Sequence, residues 1–244
     1  MAKRVGLILA GCGHRDGSDV GEATIALLAL DRMGADIVCA APDQPQPVVA
    51  NHLSGEVTPA KPPKRGVLVE AARLTRGRIV SLATLGDRDL DALIIPGGQG
   101  VGYILSSYFE KGELCEVNPD VARLLRAMLS AHKPIGVSSL AAILAARVLG
   151  PVAGVRLTLG SKHPPAAKHA AVMGADMRPC NVDDVVTDQK ARVISTPASM
   201  YDDAPLRQIA LGMEKLVRAV VGLARDRSPH PVPPTTVPGA APPV

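Results

Sequence analysis

The sequence predicts one doubly wound α/β domain: a mostly parallel sheet with helices on both faces. Two observations lead there. Three times, a short aliphatic run passes through a Gly- or Ser-bearing loop into a stretch with helical spacing. The chain is also 47% hydrophobic but only 2% aromatic, so its core must be built from Val, Ile, Leu and Ala. Such residues, in unbroken runs, suit parallel strands buried on both faces.

The elements follow in order. Residues 5–9 read as a buried strand ending in a Gly-rich turn. Ser18 is placed to cap the next helix, whose core face carries Val20, Ala23, Leu27 and Leu30 at helical spacing. Gly34 ends that helix, and residues 35–41 form the second strand, completing a βαβ unit. Residues 42–66 are rich in Pro and polar side chains and read as a long irregular excursion. Residues 67–75 look helical, 78–82 extended, and 92–95 a buried strand leading into Pro96-Gly-Gly-Gln-Gly100. Asn118 followed by Pro119 is a helix start, a capping side chain and then Pro in the first turn. Residues 134–137 form a strand and 140–149 a helix. A polar helical stretch follows residues 156–159, then two short strands near 185–187 and 192–195. Pro205 opens the last helix, with Leu206, Ile209, Met213, Leu216, Val220 and Ala224 toward the core. The domain spans 1–227. The tail, 228–244, has seven prolines in seventeen residues and reads as disordered or polyproline-like.

Composition narrows the function. Scattered charges summing to +4, without a basic stripe, argue against nucleic acid, and so does the shortage of aromatic stacking platforms. No apolar run approaches the roughly 20 residues of a membrane span. The cysteines, Cys12, Cys39, Cys115 and Cys180, form no C-x-x-C pair. The expectation is therefore a cytoplasmic protein in a reducing compartment. The six histidines show no metal-binding spacing, so no metal is expected.

Ligands of such sheets bind at the carboxyl ends of the strands, where the loops 11–18, 96–102 and 138–139 should converge. The third loop is the sharpest: a strand, two serines and at once a helix, the layout of a nucleophile elbow around Ser139. Serine is also simply a good helix cap. Glu22, in a first helical turn, is either a dipole-favoured surface acid or a general acid–base in the cleft. Gly97 and Gly98 either shape a turn or present N–H groups to an oxyanion. Gly11 and Gly13 suggest a dinucleotide loop, but no acidic residue ends the second strand, and no cofactor is expected. Cys12 lies in the same loop as a packed or redox-sensitive thiol.

Several stretches carry a family resemblance. They are Leu9-Ala-Gly-Cys-Gly with Asp16-Gly-Ser, Ala41-Pro-Asp, Asn51-His-Leu-Ser-Gly-Glu56, Glu70-Ala-Ala-Arg-Leu-Thr-Arg-Gly77, Ile95-Pro-Gly-Gly-Gln-Gly100, Lys133-Pro-Ile-Gly136, and Ser195-Thr-Pro-Ala198 with Met200. In this order, over about residues 3–225, the chain resembles the ElbB-type, isoprenoid-biosynthesis glyoxalase-like proteins of the class I glutamine-amidotransferase-like superfamily, which includes the PfpI-type proteases.

The resemblance implies a flavodoxin-like sheet, a pocket for a small reactive dicarbonyl, glutathione-independent conversion to a hydroxy acid, and a homodimer. It places the glutamate on Glu22, the oxyanion donors on Gly98 and Leu140, and the elbow cysteine on Ser139; Gly97, Gly11, Gly13, Asn51 and Tyr103 complete the expected binding set. Serine for cysteine is a departure. Others are Gln99 for Phe, Tyr103 and Ile104 for a Lys-Asn pair, and Gly21 for His. An unassisted hydroxyl is a far weaker nucleophile than a thiolate. The expected activity is therefore weak or retuned, with a catalytically degenerate binding or regulatory module and a serine hydrolase as alternatives.

Overall fold

The computed structural model of the chain describes residues 2–62, 65–161 and 165–224. The Pro-rich tail, His163 and His230 lie outside these residues.

Eleven strands are present among them: β1 (Arg4–Ile8), β2 (Asp36–Ala41), β3 (Val48–Ala50), β4 (Val57–Pro59), β5 (Val80–Ser81), β6 (Ala92–Ile95), β7 (Ile135–Ser138), β8 (Arg156–Leu157), β9 (Asp176–Met177), β10 (Val186–Asp188) and β11 (Val193–Thr196). The α-helices are α1 (Val20–Arg32), α2 (Val67–Thr75), α3 (Gly100–Tyr103), α4 (Tyr108–Lys111), α5 (Pro119–Ser130), α6 (Ala142–Ala153), α7 (Pro165–Val172) and α8 (Leu206–Leu223).

Seven strands make one sheet in the order β10-β11-β7-β6-β1-β2-β5. Every pairing in it is parallel except β10 with β11. The central strands carry the aliphatic core. All four residues of β6 are buried, as are all four of β7 and of β11. This is the doubly wound, flavodoxin-like architecture expected, and its order places the ends of β1, β6, β7 and β11 side by side.

Some elements differ from expectation. The excursion of residues 42–66 holds an antiparallel hairpin, β3–β4, in register Val49 to Thr58. It is clasped to the first loop by the buried Asp16, whose Oδ2 accepts from the Ala50 N–H at 2.9 Å. Asp19, not Ser18, caps α1: its carboxylate accepts from the Glu22 N–H at 2.8 Å. Ser18 instead accepts from the Ala10 N–H, tying the loop to the end of β1. The buried face of α1 is Glu22, Ala23, Ala26, Ala29 and Leu30, whereas Val20 is 45% exposed. Leu206 likewise lies outside the core face of α8, which begins at Ile209. Between β7 and α6 a 3-10 turn, Ser139–Ala141, intervenes.

Candidate functional site

The site forms where β7 stops. Ser138 is its last residue, and Ser139 turns out of the strand with φ +52, the left-handed region. A side chain there costs of order 1 kcal/mol or more and persists only where the surroundings impose it. The Ser139–Ala141 turn packs against a second 3-10 turn, Ala198–Met200, which follows β11 and begins with another left-handed residue, Ala198 at φ +43. Two strained residues thus meet at the carboxyl ends of two adjacent strands.

The loop after β6 closes the site from the other side. Gly97 has no room for a side chain: a Cβ there would stand 2.8 Å from Ser139 Oγ and 2.9 Å from Glu22 Oε2. Ser139 and Glu22 therefore both pack directly against Gly97, at a distance that only a glycine allows. Gly98 needs its φ of +101, because a Cβ would run into the backbone of Gly17 and Asp19. Main-chain bonds lock the two loops together: Asp19 N–H to Gly97 O at 2.9 Å, Gln99 N–H to His14 O at 2.7 Å, and Gly100 N–H to Gly17 O at 3.0 Å.

Glu22 is fully buried. Its Oε2 accepts from Ser138 Oγ at 2.6 Å and from the Gly97 N–H at 2.8 Å, and its Oε1 accepts from the Ser199 N–H at 3.2 Å. Burial pushes its pKa up, and the nearby Asp19 charge adds to this; the three donors oppose it without cancelling it. No cation pairs with Glu22 among the described residues. Asp19 behaves differently. Burial works against its charge, but the His14 bond at 2.8 Å and the Glu22 and Gly21 N–H groups outweigh that and hold it low. The same bond raises His14.

The expected residues therefore separate. Ser139, Glu22, Gly97 and Gly98 come together. Ser139 is 4% exposed, and its hydroxyl bonds to no described group. The Gly98 N–H also meets no acceptor among the described residues. Leu140, next to Ser139, is the second residue of the 3-10 turn, where the first N–H groups have no partner within the helix. Tyr103 lies on α3, which packs against the elbow turn, but its ring stacks on Phe109 at 4.5 Å. Gly11 and Gly13, at φ +78 and +138, shape the first loop beneath Gln46 and Asp16. Asn51 is exposed at the hairpin tip, where its Oδ1 accepts from the Leu53 N–H at 3.0 Å. Neither those two glycines nor Asn51 reaches the Ser139 space. Cys12, half-buried, has its pKa raised by burial first and then by the nearby Glu70, which favours the inert thiol.

Two contacts escaped the sequence reading: Ser138 and the Ser199 N–H. Both lie at strand ends where the fold rule puts ligand sites, and that rule was the only signal for them. A metal is not supported by clustering: among the described residues no three His, Cys, Asp or Glu side chains come together. No described helix is long and apolar enough to cross a membrane.

Comparison with known proteins places this geometry. The chain is 40% identical over 231 residues to the human glutamine amidotransferase-like class 1 domain-containing protein 3, mitochondrial, covering 91% of this chain and 84% of that one. It belongs to the glutamine amidotransferase-like class 1 family. A second member, the rat ES1 protein homolog, mitochondrial, is 39% identical over 228 residues, covering 90% of this chain and 84% of that one. Among solved structures, the isoprenoid biosynthesis protein with amidotransferase-like domain from Ehrlichia chaffeensis superposes with a TM-score of 0.82 at 31% identity, covering 91% of this chain and 99% of that one. No protein-family model matches the chain. Within the family, the expectation of a cytoplasmic protein is corrected: the human and rat members are named as mitochondrial. Cysteine spacing and the lack of an apolar run do not distinguish the two compartments, since a mitochondrial protein satisfies both equally well.

Proposed function

We propose that the site formed by Ser139, Glu22 and Gly97 receives the carbonyl of a small α-dicarbonyl and converts it to a hydroxy acid without glutathione. One observation carries this reading: a strained elbow serine with an uncommitted hydroxyl packs against the same glycine as a fully buried glutamate that makes no ion pair among the described residues. In the proposed reaction, Ser139 Oγ adds to the aldehyde carbon, and its proton passes through solvent to the neighbouring carbonyl oxygen, which ends as the alcohol. The new oxyanion is received by the Gly98 and Leu140 N–H groups. Glu22 then moves a proton from that carbon to the neighbouring carbonyl carbon. The first carbon rises to the ester level while the second falls to an alcohol, so no outside oxidant enters. Water releases the hydroxy acid and restores the hydroxyl. A carboxyl whose pKa is raised by burial holds a proton more readily than an ordinary glutamate, which suits it to take one from carbon and return it.

A second reading is a binding module without turnover. It is favoured by the absence of any base in hydrogen-bond contact with Ser139 among the described residues. A serine hydroxyl ionises far above a thiol's ~8.5, which leaves a large deficit for such a site to overcome. A serine hydrolase has less support, because the loop histidine, His14, is committed to Asp19. Turnover of methylglyoxal and glyoxal by the wild type, Ser139→Ala and Ser139→Cys decides between them. Wild-type turnover lost in Ser139→Ala supports the catalytic serine. An inert wild type with an active Ser139→Cys supports the binding module. Wild-type turnover that survives Ser139→Ala sinks the covalent step.

A further inference from the structure

The two adjacent serines have different surroundings, and the difference assigns them different work. Ser139 carries the uncommitted hydroxyl, whereas Ser138 is fully buried and fully engaged. Its Oγ donates to Glu22 Oε2 at 2.6 Å, a short charge-assisted contact, and accepts from the Gly97 N–H at 3.3 Å. That N–H is shared, since it also reaches Glu22 Oε2 at 2.8 Å. Ser138, Gly97 and Glu22 therefore form a closed three-member ring of hydrogen bonds that excludes Ser139. The ring joins three elements distant in sequence: α1, the loop after β6, and the end of β7.

We propose that Ser138 is the positioning residue of this site: it aims Glu22 and sets how tightly that carboxyl holds its proton, leaving Ser139 free to turn toward a ligand. The proposal rests on the reading that Glu22 and Ser139 serve one carbonyl site, but the ring itself exists without a substrate. Two facts favour a tuning role over packing alone. The contact is with the carboxylate oxygen that faces the Gly97 space, not with the one that Ser199 holds. And Glu22 makes no ion pair among the described residues: of its titratable neighbours, Asp19 opposes its charge and His14 is bonded to Asp19, so the direct bonds to its ionised form come from neutral donors. Ser138 supplies the shortest of the three bonds.

The test reads the carboxyl directly. The titration of Glu22 is followed by infrared difference spectroscopy on the full chain, with Glu22→Gln identifying the band, in wild type, Ser138→Ala and Ser138→Thr. Thermal unfolding checks that each variant is folded. Ser138→Ala is expected to bind the Glu22 proton about ten- to a hundredfold more tightly, as loss of one hydrogen bond to a charged group implies. Ser138→Thr, which keeps a hydroxyl, is expected to restore the wild-type titration. Should Ser138→Ala fail to fold, Ser138→Cys, a weaker donor of nearly the same size, is expected to shift the titration in the same direction. A folded Ser138→Ala or Ser138→Cys whose Glu22 titrates as in wild type overturns the proposal. Because this readout needs no turnover, an inert wild type would remove the glyoxalase reading and leave this one standing.

Discussion

Two glutamates lie in the first turns of two helices of this molecule, and both are almost wholly buried: Glu22 on α1 and Glu70 on α2. Their electrostatics are opposite. Glu70 bonds the guanidinium groups of Arg65 and Arg73, the latter at 2.9 Å, and these hold its pKa down against the effect of burial. Glu22 meets only neutral donors, and burial pushes its pKa up. The same residue type, in the first turn of each helix, has its charge stabilised in one site and penalised in the other. Paired burial makes structure; burial without a cation makes a group whose protonation can change.

The comparison breaks most visibly through activity. If turnover is present, Glu22→Gln is expected to reduce kcat by about two to four orders of magnitude, the usual worth of a positioned acid–base group. Glu70→Gln is expected to leave kcat within a few-fold. Steady-state kinetics of the two variants side by side checks this. Equal losses would mean that the two carboxyls do not differ in role.

Stability should order them the other way. Glu70→Gln is expected to cost about 1–2 kcal/mol by urea unfolding. The value is kept modest because both arginines are partly exposed and can turn to solvent when released. Glu22→Gln removes a carboxyl whose ionised form is penalised by burial, so its stability at neutral pH is expected to stay level or rise.

The pH dependence sharpens this further. Glu70's folded pKa lies below its unfolded value. Its contribution is present above that unfolded value and is lost as pH falls through the folded one. Glu22's folded pKa lies above its unfolded value. From the ordinary glutamate range upward the unfolded chain ionises first, so stability declines with rising pH until the folded pKa is passed. Unfolding free energy measured across that window should fall less steeply with rising pH in Glu22→Gln than in wild type. An unchanged slope would place Glu22's pKa at its ordinary value.

How much of this was legible beforehand depends on which physics fixed each part. The strands β1, β2, β6 and β7 followed from aliphatic runs and turn residues, and the Asn118–Pro119 start of α5 from its capping chemistry, because those signals are local. The hairpin β3–β4 was not visible. Its strands are three residues each, half-exposed and set among prolines, and they are held by Asp16, which lies far back in the chain. At the site, the convergence of strand ends points to Ser139, Gly97 and Gly98, while the first-turn position and the family resemblance point to Glu22. Ser138 is not legible in the sequence because the aliphatic run that marks the strand ends at Val137. One more strand residue reverses which side of the sheet a side chain faces, and β7 extends to Ser138. Asp19 was passed over as the α1 cap because Ser18 and Asp19 are equally good capping types one residue apart, and only three-dimensional contacts distinguish them.

The smallest expected effect tests whether strain is built into the site. Ser139 holds a left-handed conformation that glycine adopts without penalty. Its side chain bonds to no described group, so removing it forfeits little beyond a few van der Waals contacts. Ser139→Gly is therefore expected to raise stability slightly, by about 0.5–1 kcal/mol, partly offset by the greater freedom of glycine in the unfolded chain. For a chain of this size that is a rise in Tm of about 2–4 °C per kcal/mol gained, within reach of calorimetry. Ser199→Gly is the control, since Ser199 is not among the left-handed residues and should gain nothing. A stabilised Ser139→Gly that has also lost ligand binding or turnover would show a serine kept in a costly place for what it does. A destabilised one would mean that its contacts, not the elbow's strain, dominate there.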